Sequence, residues 1–320
     1  MKKSLLRALE AYQPPEDRAI KNQYKRRDVY RCTHESHLHF NSAVSVYHVL
    51  KEKKCYPDGC IYFRWKCRKL DKGEPCPRKF KHVGRSCTSC SYFFDEKVLK
   101  RPEICLPRDE FLRFEKDLKV FEAWLEKNRG SLVEYSGRIN SVKPRYGLKK
   151  QGKRHRVFFQ GFLLNFCDGS IGNRRFADFV YVPVSSRLQG RFRFAKGDLV
   201  SFSGYLTVDR GNVRIRKIRT IEILERKEPC FWTESRARVA QRTGVVMGYQ
   251  AEKCYACEKG VLLSVESDGS RRRGSRRVMF CLEGVEDPEW CPYSVQKCLQ
   301  QYACSRDAED GSDEGWLMEG

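Results

Sequence analysis

Residues 66–90, KCRKLDKGEPCPRKFKHVGRSCTSC, place four cysteines among eight lysines and arginines. Thiols at this density can form disulfides, a redox switch or a metal site. Cys87-Thr-Ser-Cys90 is the tight C-x-x-C turn that presents two thiolates to one cation, and Cys67 and Cys76 can complete a tetrahedral set. His82 is a rival ligand within the same stretch. A second set is expected from Cys254-Tyr-Ala-Cys257, Cys281 and Cys291, with Cys298 and Cys304 as alternatives for its last position. Cys32, Cys55 and Cys60, with His34, His37 or His39, are candidates for a further set near the N-terminus. Zn²⁺ at two sites is the leading expectation, because the C-x-x-C pairs accompany hairpin patterns. A [4Fe–4S] cluster also takes four cysteines and stays open as the alternative.

The chain around these thiols has 320 residues and sixteen cysteines. The segment MKKSLLRALEAYQPPEDR lacks the apolar stretch of a signal peptide and reads as a short helix ending at Pro14 and Pro15. No apolar run reaches the length that spans a bilayer. The expected compartment is therefore the reducing cytoplasm, where structural disulfides are rare and metal ligation is the better use of thiols. A redox switch needs an exposed thiol of low pKa, for which the sequence carries no sign. The 63 lysines and arginines against 41 acids give a formal charge of +22, which draws polyanions and points to nucleic acid, with no membrane partner expected.

The cysteines are unevenly spread. Eight lie between Cys32 and Cys105 and six between Cys254 and Cys304, so a cysteine-poor middle separates two cysteine-rich ends. The spacing of Phe111, Phe114, Leu118, Phe121 and Leu125 predicts an amphipathic helix over 108–129, stopped at Gly130. From Ser131 to Glu225, five runs rich in β-branched and aromatic residues are parted by Gly, Pro and Asp. SSRLQGRFRFA, between the third and fourth, is suited to a helical turn. Together GDLVSFSGYLTVDRGNVRIRKIRTIEIL and VEYSGRINSV, with Gly137 at the bend of a first strand, resemble nucleic-acid-binding oligonucleotide/oligosaccharide-binding (OB) domains. CYAC, GVLLSVES and RRVMFC resemble a zinc ribbon.

The resemblance implies an α+β, mainly β fold: a five-stranded OB barrel between two small metal-binding modules, with a connecting helix. The expected layout is a cysteine-rich module over 1–107, a helix over 108–130, the OB domain over 131–226, a ribbon over 227–305 and an acidic tail over 306–320. An OB barrel takes its ligand across strands two and three, between the loops joining strands one to two and four to five. The first of these loops is read as KPRYGLKKQGKRHR, with Lys143, Arg145, Tyr146, Lys149, Lys150, Lys153, Arg154 and Arg156 and no acid. The second carries Arg210, and the following strand sets Arg214 and Arg216 on one face by alternation. Phe158, Phe162, Phe179 and Tyr181 are candidate stacking rings, although the barrel also needs aromatic residues for its core. Residues 131–225 hold 19 basic and 7 acidic side chains, so over half the chain's excess charge sits in under a third of its length.

These features point to a non-catalytic binder of single-stranded DNA or RNA. Phosphate-loop, dinucleotide-binding, H-E-x-x-H and G-x-S-x-G patterns are missing from the sequence. The run THESHLHF, with three histidines beside Glu35, is the one candidate for a hydrolytic metal centre. The alternative expectation is therefore a nucleic-acid-processing or iron–sulfur enzyme that holds substrate on the OB domain.

Overall fold

The computed structural model describes residues 19–34, 43–151, 154–249, 251–267 and 277–292. It is mixed α+β and mainly β. Among these residues, 22–123 form one compact unit and 19–21 with 124–292 form another. No helix among them is long and apolar enough to cross a membrane.

In the first unit, β1 (Tyr30–Arg31) and β2 (Ala43–Val44) precede a hairpin of β3 (Cys60–Cys67) and β4 (Phe93–Lys100), and β5 (Glu103–Ile104) follows. β1 lies antiparallel between β2 and β5, while β3 and β4 make a separate two-stranded sheet. The core of this unit forms where β1 meets helix α1 (Arg108–Asn128): Tyr30 packs on Phe114 at 6.3 Å and Tyr24 on Phe121 at 5.1 Å. The expected stripe is the buried face of α1, with Phe114, Leu118, Phe121 and Leu125 all buried. The β3–β4 hairpin has no such support. Between residues 60 and 100 the one buried side chain is Cys67.

The second unit is built on β6 (Leu132–Gln151), β7 (Arg154–Ile171), β8 (Arg174–Phe176) and β9 (Val180–Val184), then helix α2 (Ser186–Phe192), β10 (Leu199–Asp209) and β11 (Asn212–Glu225). The pairings of five of these strands return to their start. β6 is antiparallel to β10, β10 to β11, β9 to β7 and β7 to β6, while β11 joins β9 in parallel. Alternation fills the interior from every strand, with Phe162, Leu164, Phe166, Val180, Val182, Val200, Phe202, Val213 and Ile215 each at most 3% exposed. The bend expected at Gly137 appears as a shift of register between Gly137 and Ile139. The Gly-Asp turn before β10 has a physical cause: Gly197 adopts φ +86, and the buried Asp198 carboxylate accepts from the Ala195 and Lys227 amides.

Residues 227–292 fall in the same unit. Helix α3 (Glu234–Thr243), β12 (Val245–Val246), helix α4 (Glu252–Ala256), β13 (Gly260–Ser267) and β14 (Arg277–Cys281) follow in order. The expected hairpin is present as β13 and β14, and β13 adds in parallel to the far half of β6, from Ser264 opposite Gly147 to Ser267 opposite Lys150.

That pairing corrects one expectation. Residues 143–151 are strand, not loop: Pro144, Tyr146 and Leu148 alternate inward, and the last two pack against β13, β14 and α3. Tyr146, expected at a ligand surface, is 1% exposed, and its hydroxyl donates to the Ala237 carbonyl at 2.6 Å. Removing that hydroxyl in Tyr146→Phe should lower stability by about 1 kcal/mol, read from urea unfolding. Because the ring stays buried, any nucleic-acid affinity should be unchanged.

Candidate nucleic-acid interface and metal centres

The first cysteine set converges where the sequence placed it. Cys67 ends β3 opposite Phe93, and the Cys90 amide donates to the Cys87 carbonyl at 2.9 Å in the turn that leads into β4. A second turn starts at Cys76, whose carbonyl accepts from Lys79 at 2.9 Å. These turns bring Cys67, Cys76, Cys87 and Cys90 to the wall of one pocket, and His82 lines it too.

The second set converges in the other unit. Cys254 lies on α4, Cys257 just beyond it, Cys281 ends β14, and Cys291 follows a short 3₁₀ turn at Pro288–Trp290. All four line one pocket. Burial, then Cys257, Cys281 and Cys291, push the Cys254 thiol above its ordinary pKa. The Lys259 amide donates to the Cys257 sulfur at 3.4 Å. No three His, Cys, Asp or Glu side chains among the described residues already stand in metal-binding geometry. The donor sets nevertheless suit zinc: four thiols, two pockets, and at the first a segment with almost nothing else buried.

The arginines expected on one face also come together. Val213 and Ile215 are buried, so Arg214 and Arg216 lie on the opposite side of β11. In register, Arg214 is beside Tyr181 of β9, Tyr181 is beside Asn165 of β7, and Thr207 of β10 completes the row. Asp209 accepts ion pairs from both Arg214 and Arg277, each at 2.8 Å. Burial pulls Arg214 down to about 10; Asp209 opposes that pull, and Arg277, Arg216 and Arg145 add to it. Arg145 is lowered by burial and by Arg216. Arg214 and Arg277 thus share one carboxylate in a partly desolvated space, with Arg145 and Arg216 adding positive charge beside Arg214. Three buried atoms here, Arg145 Nε, Arg214 Nε and Asn165 Oδ1, have no hydrogen-bond partner.

Other expected contacts are placed differently. Lys143 donates to the Cys257 and Gly260 carbonyls at 2.6 and 3.0 Å, tying β6 to the second cysteine set. Phe162 is fully buried, so it belongs to the core. Phe158, Phe179, Tyr181 and Arg210 are half-buried, whereas Lys149, Arg156 and Arg216 are exposed. Lys150 and Arg154 lie on the β6–β7 hairpin. Lys153, Glu35, His37, His39, Cys298, Cys304, the arginine-rich tip over 268–276, the N-terminal helix and the acidic tail lie outside the described residues.

Sequence reading passed over Asp209, a single acid in a basic stretch. It also passed over the outward face of β3, where Ile61, Phe63 and Trp65 are 56%, 62% and 43% exposed. The alternation in CIYFRWKC was the available signal for that face. No protein-family model matches the chain, and no curated protein matches it.

The first pocket yields a direct test. With so little buried between residues 60 and 100, Cys90→Ser should abolish amide protection across β3 and β4 while leaving β6–β11 protected. Hydrogen exchange read by mass spectrometry checks this, and unchanged protection in the hairpin would rule out a segment held together by metal.

Proposed function

We propose that this chain is a nucleic-acid-binding protein that takes single strands across an OB barrel formed by β6, β7, β9, β10 and β11. The closed circuit of pairings and the helix between β9 and β10 support the barrel, since both are features of that architecture. The observation that carries the binding reading is that Arg214 and Arg277 share the single carboxylate of Asp209 while Arg145 and Arg216 add positive charge beside Arg214. Burying like charges together is unfavourable in the free protein, and a phosphate entering the cluster would relieve the repulsion and satisfy the orphaned guanidinium donors. Tyr181 stands in the same row and offers a ring to an unpaired base. The exposed Lys149 and Arg156 extend the positive charge along the β6–β7 hairpin.

In this reading the metals are structural. Cys67, Cys76, Cys87 and Cys90 would hold one Zn²⁺, and Cys254, Cys257, Cys281 and Cys291 another. When bound, the cation supplies folding free energy and keeps the thiols ionised. Lys143 joins the knuckle of the second site to β6, a strand of the proposed barrel. Compartment and choice of nucleic acid follow from the partner, with the cytoplasm expected from the use of thiols.

The test is a fluorescence-anisotropy titration of labelled single-stranded DNA, single-stranded RNA and duplex at several salt concentrations. Single strands should bind more tightly than duplex, with log K falling steeply with log salt. Arg145→Met should weaken single-strand binding about tenfold, or about 1.4 kcal/mol, without loss of stability, because it removes a buried charge that lacks a carboxylate partner. Replacing Lys149, Lys150, Lys153 and Arg154 together should flatten the salt slope. Equal slopes in the wild type and this variant, or no binding near physiological salt, would sink the proposal.

A further inference from the structure

The first unit holds three more cysteines that packing brings together and that neither four-cysteine set uses. Cys32 and Cys55 are each 1% exposed, and Cys60 opens β3. Their neighbours' rings locate them. Tyr30, two residues before Cys32, has its ring 5.2 Å from that of Tyr56, the residue after Cys55. His34, two residues after Cys32, has its ring 4.6 Å from that of Tyr62, two residues after Cys60. Cys32 therefore lies between two ring contacts, one beside Cys55 and the other beside Cys60. A turn closes the triangle: the Gly59 amide donates to the Cys55 carbonyl at 2.7 Å, folding the C-x₄-C segment back on itself. The Cys55 thiol donates to the Val49 carbonyl at 3.8 Å, and burial, then Cys60 and Cys32, push it above its ordinary pKa, which sets the three thiols near one another.

From this convergence we infer a third metal site, with Cys32, Cys55 and Cys60 as thiolate ligands of a Zn²⁺ ion and the His34 imidazole as fourth donor. Three cysteines and one histidine are an established structural zinc set. The position gives the site a purpose beyond that of the first two. Cys60 and Cys67 are the two ends of β3, about 23 Å apart along an extended strand. One cation at each end would pin both termini of a strand whose own residues bury almost nothing. This inference is independent of nucleic-acid binding and adds to the two four-cysteine sites.

The experiment is a zinc count on the full-length chain purified from zinc-supplemented cells, by native and elemental mass spectrometry. The wild type should carry three zinc ions, and Cys60→Ser, at the most exposed of the three thiols, should carry two. His34→Ala should give up one zinc ion at a chelator concentration at least tenfold lower than the wild type requires. An unchanged count in Cys60→Ser, or a Cys55–Cys60 disulfide seen as a loss of two hydrogen masses, would each overturn the inference. Cys90→Ser and Cys257→Ser report separately on the four-cysteine sites, so their failure to lose zinc would count against those sites and not this one.

Discussion

β6 carries three pairings at once, and the second unit depends on that sharing. Its first part, Leu132–Arg138, is antiparallel to β10, its last residues lie parallel to β13, and β7 follows it from Tyr135 to Gln151. A strand of twenty residues exceeds the usual length, and its far half, rich in lysine and arginine, would not hold on propensity alone. The β13–β14 hairpin and α3 supply the missing apolar surface. Tyr146 and Leu148 enter a cluster with Ala240, Val261, Leu263, Phe280 and Leu282. The segment after residue 226 is therefore part of the body that presents the basic hairpin, and Lys143 joins the cysteine turn of that segment to the same strand.

Charge shapes the unit in the opposite sense from packing. The free-energy cost of gathering Arg145, Arg214 and Arg277 falls on the folded state, since burial and neighbouring cations both disfavour the charged forms. Asp209 offsets part of it through two ion pairs. An ordinary surface would spread such groups into solvent, where screening makes them harmless. Here Arg214 and Arg277 are held at one carboxylate instead, and burial and neighbouring cations work against the charge on each.

Much of this was legible in the sequence, for identifiable reasons. Thiol type and spacing were enough to group Cys67, Cys76, Cys87 and Cys90, and Cys254, Cys257, Cys281 and Cys291, and each set lines one pocket. Alternation located Arg214 and Arg216 opposite Val213 and Ile215, since a strand's period is fixed by its backbone. The run 143–151 was misjudged because its charge is conspicuous and its alternation, Pro144, Tyr146, Leu148, is not. The choice between core and surface for Phe162 and Tyr181 depended on phase against neighbouring strands, which no single segment contains. Asp209 was invisible for a related reason: its meaning comes from Arg277, nearly seventy positions away.

The two units reach stability by different physical routes. The second has a continuous apolar interior fed by every strand, as an ordinary β domain does. In the first, the core around Tyr30 and Phe114 ends before β3, and the hairpin beyond it buries little except Cys67. Hairpins of two strands are marginal in water, so backbone pairing alone does not account for an ordered β3 and β4. Cross-strand contacts help only modestly, because Ile61 and Leu99 face each other while both remain about half exposed. What distinguishes the hairpin is a convergence of thiols at each of its ends, the position where a cation can replace the core that the sequence does not supply.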